Sequence, residues 1–267
     1  MARWDVYEIP VDTGLFTPLG LQPSAVCRLG FNAAGSWLKE HAISHRTLIA
    51  GHHTGFVVWS AQLNFDKPVC YLDADSLELR VTGRVRGAGT QFECEVAIGE
   101  ATRMWACCVP LRLDGDPALS GTAARMGADV LAAFLPDEVD PRPHLSPVPQ
   151  LCAEVESDGR VLAQGRTQFV VHRHQCEVAD QWFWPEAVSL VSCGREELAR
   201  SHVGLRSGIA TPLRRIDLLY NRPFFLFDEG AVVSTAYSWR ERLVFVHNLQ
   251  GIEGGRPRAI AVEQFDR

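Results

Sequence analysis

Residues 65–73 read FDKPVCYLD, and residues 220–228 read YNRPFFLFD. Each stretch contains an aromatic residue, an Asp or Asn, a basic residue and a proline, followed by an aspartate five positions after the proline. A second pair of similar stretches lies upstream, LKEHAISH at residues 38–45 and REELARSH at residues 195–202. The last histidine of this motif precedes the proline of the other by 23 residues in one copy and 21 in the other. Two motifs in the same order and at nearly the same spacing predict an internal duplication.

The sequence before the first FDKP motif predicts a helix. Residues 36–50 have the length and the apolar spacing of an amphipathic helix. Asn32 or Ser36 can cap its start, and Gly51 can end it. Four histidines and one glutamate fall on this helix and just after it, so the segment is also a candidate for chemistry.

The sequence after that motif predicts antiparallel strands. Residues 77–98 alternate between apolar and polar side chains, with Gly87 and Gly89 at the turn of the hairpin. Residues 102–113 have the composition of a third strand. The first copy therefore has the order helix, then strands.

The second copy predicts the same order. Residues 151–173 have the pattern of a hairpin that turns at residues 157–159, SDG. A helix is predicted over residues 185–202, strands within residues 230–249, and a last strand, RAIAVEQF, at residues 258–265.

The segment between the copies has a different composition. An Ala- and Leu-rich stretch near residues 122–134 predicts a helix, and the proline-rich LPDEVDPRPHLSPVPQ that follows can neither continue a helix nor lie inside a sheet. We therefore predict an N-terminal unit at residues 1–115, a helical and proline-rich linker at 116–149 and a C-terminal unit at 150–267.

Composition limits the function. The chain has 267 residues, 46% hydrophobic and 22% charged, which is typical of a globular protein with a sizeable core. Its formal net charge is −6, and its 26 Lys and Arg are scattered, which argues against a nucleic-acid partner. The N-terminus lacks an apolar signal core, and no apolar run is long enough to span a membrane. We expect a cytoplasmic protein with no membrane partner.

The residues that could bind metal are dispersed. The eight cysteines include no CxxC pair, and we expect buried, reduced thiols. His172 and His174 would share one face of a strand, but period-two histidines more often lie on a polar face than bind metal. We expect neither a metal nor a cofactor.

A long helix in the curve of an antiparallel sheet, present twice in a chain of this length, resembles the double hotdog fold, an α+β architecture. The stretch GFNAAGSWLKEHAISHR at residues 30–46 resembles the helix start of a bifunctional acyltransferase/decarboxylase family of polyketide assembly lines. Asn221 would be the counterpart of its asparagine in the other unit. The resemblance implies an enzyme that handles acyl thioesters on coenzyme A or on an acyl carrier protein.

The helix start at residues 32–36, NAAGS, is a candidate oxyanion hole. A helix N-terminus offers free backbone N–H groups and a partial positive charge, so Asn32, Gly35 and Ser36 could bind the thioester carbonyl. The alternative is that these small residues only allow the helix to pack closely on the sheet.

Glu40 and His45 are the candidate base and its helper. They are five positions apart, about 140° around a helix, so they do not share a face. His41 and His45, at i and i+4, do share one, and His41 is a candidate substrate contact. The structural alternatives are a solvent-facing Glu40 beside Lys39 and a packing role for His45.

The matched turns supply further candidates. Asp66 and Asn221 could hold the turn before the proline, or one of them could face a shared cleft as a catalytic group. Arg222 could contact a phosphopantetheine or a carrier protein. Trp182 and Trp184 could line an acyl tunnel, although core packing is the simpler role.

The function predicted from these observations is processing of an acyl or polyketide thioester, most simply by a thioesterase. One alternative is a hydratase, dehydratase or isomerase on the same substrates, and another is a non-catalytic protein that binds acyl carriers or ligands. Association into a homo-oligomer is open.

Overall fold

A computed structural model describes residues 2–114, 121–177 and 180–266. The strands are β1 Asp5–Pro10, β2 Phe16–Thr17, β3 Gly20–Leu21, β4 Thr54–Phe65, β5 Ser76–Arg86, β6 Gln91–Ile98, β7 Thr102–Leu113, β8 Gly121–Ala123, β9 Arg160–Val170, β10 Leu213–Tyr220, β11 Glu229–Trp239, β12 Arg242–Gly251 and β13 Gly254–Asp266. The helices are α1 Pro23–His41, α2 His45–His52, α3 Ala128–Leu131, α4 Val148–Asp158, α5 Pro185–Ser201 and α6 Arg206–Ile209.

Within the described residues, eleven strands form one antiparallel sheet that is built twice. Its order is β1-β5-β6-β7-β4-β10-β13-β12-β11-β9, with β8 beside β7. The first five strands mirror the last five, and β4 and β10 meet in the middle, where Gln62 lies opposite Asp217. The predicted duplication is therefore visible in the strand order.

The long helices α1 and α5 lie on the same face of this sheet and pack against each other. The largest core cluster contains side chains from both helices, such as Trp37 and Val191, together with strand residues of both units. The short helix α4 covers the opposite face of the C-terminal strands, over a separate cluster that includes Val155 and Val262. The C-terminal part of the sheet thus has a helix on each face.

The FDKP and YNRP stretches form the same turn in both units. Each follows a central strand, β4 or β10. Asp73 accepts a hydrogen bond from Cys70 N at 2.7 Å, and Asp228 accepts one from Phe225 N at 3.0 Å. The aspartate shared by both motifs therefore closes the turn that leads into the next strand.

The strand predictions for the first unit are confirmed. β5 and β6 form the hairpin, and Gly87 and Gly89 have φ of 57° and 101°, a backbone region that favours glycine. The strand predicted over residues 102–113 is β7. In the second unit, the predicted helix over residues 185–202 is α5.

The predicted helix over residues 36–50 is wrong in both of its bounds. α1 begins at Pro23, at the first helical position, where the fixed φ of proline is favourable. It ends at His41 because Ala42 leaves the helical region, and Ser44 then caps α2 through a bond from Thr47 N. The buried face of the first turns of α1 consists of small residues such as Ala25 and Cys27, which give a weak apolar signal.

Two other predictions are wrong. Residues 151–158 are the end of α4 and not a strand, since Val148, Leu151, Cys152 and Val155 recur at helical spacing over the sheet. The helix predicted near residues 122–134 is only the four-residue α3. The predicted boundary between residues 115 and 116 lies outside the described residues.

The cysteines are all free thiols, and half of them are buried: Cys27, Cys94, Cys107 and Cys108. Burial raises the pKa of Cys94 and Cys107 to about 12, so these thiols stay protonated. Cys70 and Cys193 are exposed, contrary to the expectation that the thiols are buried. His172 and His174 lie after the end of β9, with their rings stacked at 5.9 Å. In the described parts of the chain, no group of three His, Cys, Asp or Glu is arranged to hold a metal.

Candidate active site

A groove of about 510 Å³ lies between the two units, at the N-terminal end of α1. One wall belongs to the first unit and consists of the β2–β3 hairpin, the start of α1 and the turn after β4. The other wall belongs to the second unit and consists of one face of α5 with the loop before β10. Both units are needed to form it.

The walls of the groove are mainly apolar. The apolar side chains that line it are Leu19, Leu21, Phe65, Pro68, Val69, Val188, Ile209, Pro212, Leu213 and Phe265. Ligand pockets are typically lined in this way, with a few polar groups that fix orientation. A hydrocarbon chain is chemically suited to these walls.

The start of α1 supplies hydrogen-bond donors to the groove. Gln22, Pro23 and Ser24 line it, and the Gln22 amide donates to Phe16 O at 2.9 Å and so is not used to cap the helix. The first N–H groups of a helix have no acceptor within it, and they carry a partial positive charge. The backbone N–H group of Ser24 is in this position, and Ser24 lines the groove.

The facing wall supplies a carboxylate. Glu196 lines the groove from α5, and its side chain is 65% exposed. Arg195 Nη2 lies 3.3 Å from Glu196 Oε1 and holds the carboxylate at the rim. The next residue, Glu197, instead pairs with Arg200 along the helix.

Arg195 also connects the groove to a buried polar chain. Its other terminal nitrogen pairs with Glu263, the Glu263 carboxylate lies 3.1 Å from His247 Nε2, and Ser234 Oγ lies 2.8 Å from His247 Nδ1. Burial would raise the pKa of Glu263, but Arg195 and His247 together lower it below its ordinary value. Glu263 is therefore an anion inside the C-terminal unit.

Gly194 allows α5 to approach this chain. A Cβ at Gly194 would lie 2.8 Å from Ser234 Oγ and 2.9 Å from Val232 Cγ1, closer than real contacts allow. The close approach brings Arg195 within reach of Glu263. Ser234, at 1% exposure, is covered by the helix and does not open into the groove.

The predicted oxyanion hole at residues 32–36 is not at a helix start. Asn32, Gly35 and Ser36 lie within α1, where their N–H groups belong to the intrahelical ladder. Asn32 and Ser36 are exposed. Their predicted role depends on a helix that begins near residue 36, whereas α1 begins at Pro23.

Glu40 and the two histidines are not brought together. Glu40 is 61% exposed and lies 3.7 Å from Lys39, which is the structural alternative given for it. His41 Nε2 lies 2.7 Å from Asp5 Oδ1 and ties the end of α1 to β1. His45 begins α2 and packs between the rings of Phe31 and Phe56, and burial lowers its pKa.

Asp66, Asn221 and Arg222 are exposed at the two matched turns, and the backbone carbonyl of Asp66 accepts a hydrogen bond from Arg214 of the second unit. The Asn221 amide donates to Pro257 O at 3.0 Å, across to the start of β13. Asp66 lies beside the groove-lining residues Phe65 and Pro68 in sequence, but it is not part of the groove wall. The catalytic roles of these residues stay predictions.

Trp182 and Trp184 lie just before the start of α5, at the end of the α1 and α5 pair that is away from the groove. Trp182 is buried and stacks on Phe169. Trp184 caps α5 and accepts a hydrogen bond at its carbonyl oxygen from Tyr220 Oη at 3.0 Å. In the repeat, Tyr220 corresponds to Phe65, which lines the open groove.

Aromatic side chains pack against each other near the start of α5, the position that the repeat relates to the start of α1. Phe183 packs edge-on against Phe31 at 5.6 Å, and Arg28 of α1 pairs with Glu186 of α5. These contacts lie where the repeat would place a counterpart of the groove.

The sequence pattern does not identify Glu196 as a site residue, and it does not predict the true start of α1. Glu196 lies in the motif REELARSH, but the residue of that motif that matches Glu40 is its neighbour Glu197. The proline at position 23 was the available signal for the helix start.

Comparison of the sequence with family models and with curated proteins gives no match. Solved structures are similar over nearly the whole chain. A structure described as an oleoyl thioesterase from Lactobacillus plantarum superposes with a TM-score of 0.74 at 10% identity, covering 99% of this chain and 95% of that one. The protein has a double hotdog fold.

Two other solved structures are similar to this chain over nearly its whole length. The 12:0-ACP thioesterase from Umbellularia californica has a TM-score of 0.71 at 13% identity, with 98% of this chain and 93% of that chain covered. An acyl-ACP thioesterase from Bacteroides thetaiotaomicron has a TM-score of 0.64 at 10% identity and 98% coverage of both chains. At these identities the likeness establishes the fold alone. None of the helices in the described residues combines the length and apolar character of a membrane span.

Proposed function

We propose that the protein is a thioesterase that hydrolyses an acyl thioester carried on coenzyme A or an acyl carrier protein. The observation that carries the proposal is the groove between the units, which has apolar walls, a helix N-terminus on one side and the carboxylate of Glu196 on the other. The double hotdog structures described above are of thioesterases, which supports the same reaction class.

The chemistry assigns a role to each side of the groove. The acyl chain lies along the apolar walls, and the thioester oxygen accepts a hydrogen bond from Ser24 N at the positive end of α1, which stabilises the negative charge of the tetrahedral intermediate. Glu196 accepts a proton from water as the water attacks the carbonyl carbon. The C–S bond then breaks, the thiolate takes up the proton, and the products are a carboxylic acid and a free thiol.

The proposal is tested by substituting two neighbouring glutamates separately and comparing the activity of the variants. Wild type, Glu196→Gln and Glu197→Gln are assayed for thiol release and by intact mass on acyl-coenzyme A and acyl-carrier thioesters, saturated and α,β-unsaturated. We expect Glu196→Gln to lower kcat by about 100-fold or more, as is usual on loss of a general base, and Glu197→Gln to retain activity.

The other reactions predict different products. A mass change of one water without thiol release would indicate a hydratase or dehydratase. If none of the thioesters reacts but one of them raises Tm, the protein binds such ligands without turning them over. Equal activity in wild type and Glu196→Gln would remove Glu196 from the mechanism.

A further inference from the structure

A second pocket, of about 560 Å³, lies on the other face of the C-terminal sheet. It is formed by the N-terminal part of α4 and by side chains of β10, β11, β12 and β13. Trp239 and Leu151 in its wall belong to the cluster under α4, whereas Phe265 in the groove belongs to the cluster under α5. The sheet therefore separates this pocket from the groove.

Three arginines converge on the pocket, Arg215, Arg240 and Arg242, against a single carboxylate in its wall, Glu154. Arg240 Nη2 lies 3.1 Å from Glu154, and Arg242 Nη1 donates to Gln264 Oε1 at 3.0 Å. Each guanidinium has five N–H donors, so these contacts leave donors for a ligand. The lining carries an excess of positive charge.

Arg215 and Arg242 have further acidic neighbours outside the pocket wall. Arg215 donates to both oxygens of Asp217, at 2.6 and 2.8 Å, and Arg242 Nε lies 3.8 Å from Asp266 Oδ1. The Asp217 pair fixes the Arg215 guanidinium in one orientation. Arg240 and Arg242 are exposed and can turn toward a ligand.

Trp239 forms the apolar part of the same wall. The residue is 6% exposed, and the Arg240 guanidinium lies over its ring at 4.1 Å. Stacking on an indole holds a guanidinium in place without using its N–H donors. The Arg240 donors that do not contact Glu154 therefore stay available to a ligand.

The start of α4 faces the pocket as well. Pro147, the N-cap residue of this eleven-residue helix, and Gln150 in its first turn both line the pocket. The positive end of the helix dipole therefore adds to the charge of the arginines. Pro147 and Pro149 have no N–H, and Val148 N donates to Ser146 Oγ, so the helix start contributes mainly its dipole. The forked guanidinium groups are the donors suited to phosphate oxygens.

The pocket and the groove meet at the same ends of two strands. Leu213 and Phe265 line the groove, and Arg215 and Gln264 line the pocket. Side chains alternate between faces along a strand, and a register shift between Leu213 and Arg215 places them on different sides. An arm that joins the two cavities has to pass around this end of the sheet.

We propose that this arginine pocket binds a phosphate group of the thiol carrier while the thioester lies in the groove. The proposal rests on the thioesterase function proposed above. The shared chemistry is a phosphate ester on a pantetheine arm, which is the 4′-phosphate of phosphopantetheine or a nucleotide phosphate of coenzyme A.

Binding of phosphate-bearing and phosphate-free ligands tests it directly. Coenzyme A, 3′-dephospho-coenzyme A, 4′-phosphopantetheine and pantetheine are titrated calorimetrically into wild type, Arg240→Gln/Arg242→Gln and the control Arg256→Gln, an exposed arginine at the other end of β13. We expect the double variant to lose about tenfold or more in affinity for phosphate-bearing ligands, because it lacks the charge-assisted hydrogen bonds of two guanidinium groups. The control variant and pantetheine binding should be unchanged.

The ligand series identifies the source of the phosphate. If phosphopantetheine binds as tightly as coenzyme A, the pocket holds the 4′-phosphate; if coenzyme A binds more tightly and only this excess is lost in the double variant, it holds a nucleotide phosphate. Equal affinity of wild type and double variant for all four ligands would overturn the proposal.

Hydrolysis separates this proposal from the proposed function. On an acyl-pantetheine thioester, which lacks phosphate, wild type and double variant should have equal kcat/KM, whereas on the acyl-coenzyme A the double variant should have a raised KM. A second result would support the pocket and contradict the thioesterase function: no thioester is hydrolysed, but phosphate-dependent binding is lost in the double variant. If the acyl-coenzyme A is hydrolysed with the same KM by wild type and double variant, the thioesterase function is supported and the phosphate-binding role of the pocket is contradicted.

Discussion

His247 Nε2 lies 3.1 Å from Glu263 Oε2, and both side chains are completely buried in the C-terminal unit. Because Arg195 holds Glu263 as an anion, the carboxylate accepts a hydrogen bond from His247 Nε2. Nδ1 lies 2.8 Å from Ser234 Oγ, so both ring nitrogens have a hydrogen-bond partner. The chain fixes α5, and with it the groove wall, on three strands of the sheet.

Loss of the Glu263 carboxylate should destabilise the protein strongly. Glu263→Ala leaves Arg195 without its buried partner, and breaking a buried ion pair in this way costs about 3–5 kcal/mol. Urea unfolding of the variant, with the exposed Glu253→Ala as control, measures the change in free energy. A loss no larger than that of the control would show that the ion pair is not formed.

Acid should weaken the fold through the same carboxylate. The pKa of Glu263 is lower in the folded protein than its ordinary value of 4.5, so the folded state binds fewer protons. Its contribution to stability is present above pH 4.5 and is lost as the pH falls through the lower, folded value. Unfolding free energies between pH 7 and pH 3 should fall less steeply in Glu263→Gln than in wild type.

His45 should affect the pH dependence of stability more than catalysis. Burial lowers its pKa below the ordinary value of 6.5, so the unfolded chain takes up the proton first and stability falls as the pH drops below 6.5. In His45→Gln this part of the decline should disappear, while kcat stays near that of wild type. A large loss of kcat in a folded variant would restore the catalytic role predicted for His45.

Two glycines should respond oppositely to alanine. At Gly35, within α1, an added Cβ meets nothing within 4 Å, so Gly35→Ala should stabilise the protein by about 0.5–1 kcal/mol. At Gly83 the Cβ would lie 2.6 Å from Trp37 Cζ3 and 2.9 Å from Phe92 Cε2, so Gly83→Ala should lower Tm. Thermal unfolding checks both, and a lower Tm in Gly35→Ala than in wild type would contradict the first expectation.

A larger side chain in the groove should shorten the preferred acyl chain. Ser192 lines the groove from α5, and Ser192→Phe would occupy part of its volume. We expect kcat/KM to fall about tenfold or more for long acyl chains and little for short ones, since a few lost methylene contacts are worth about 1–3 kcal/mol. The exposed Ser201→Phe, at the end of the same helix, is the control. An equal loss for all chain lengths would place the acyl chain elsewhere.

Much of the fold could be predicted from local patterns. The hairpin of β5 and β6, the strand β7, the helix α5 and the duplication all follow from periodicity, turn glycines and the spacing of two motifs. The apolar pattern predicts a later start for α1 because the first buried face of this helix consists of small residues. It predicts a strand at residues 151–158 because the prolines before them obscure the helical spacing of α4. The cytoplasmic location and the oligomeric state stay predictions.

The repeat motifs specify two similar units, because the turn that each aspartate closes depends only on residues near it in the chain. The groove is a property of the tertiary structure. Glu196 and Glu197 are neighbours on α5 and point in different directions around the helix. Glu197 pairs with Arg200 one turn away, whereas only the packing of α5 against the first unit places Glu196 at a groove. Likewise, aromatic side chains from both units pack near the start of α5, and such contacts join residues far apart in the chain.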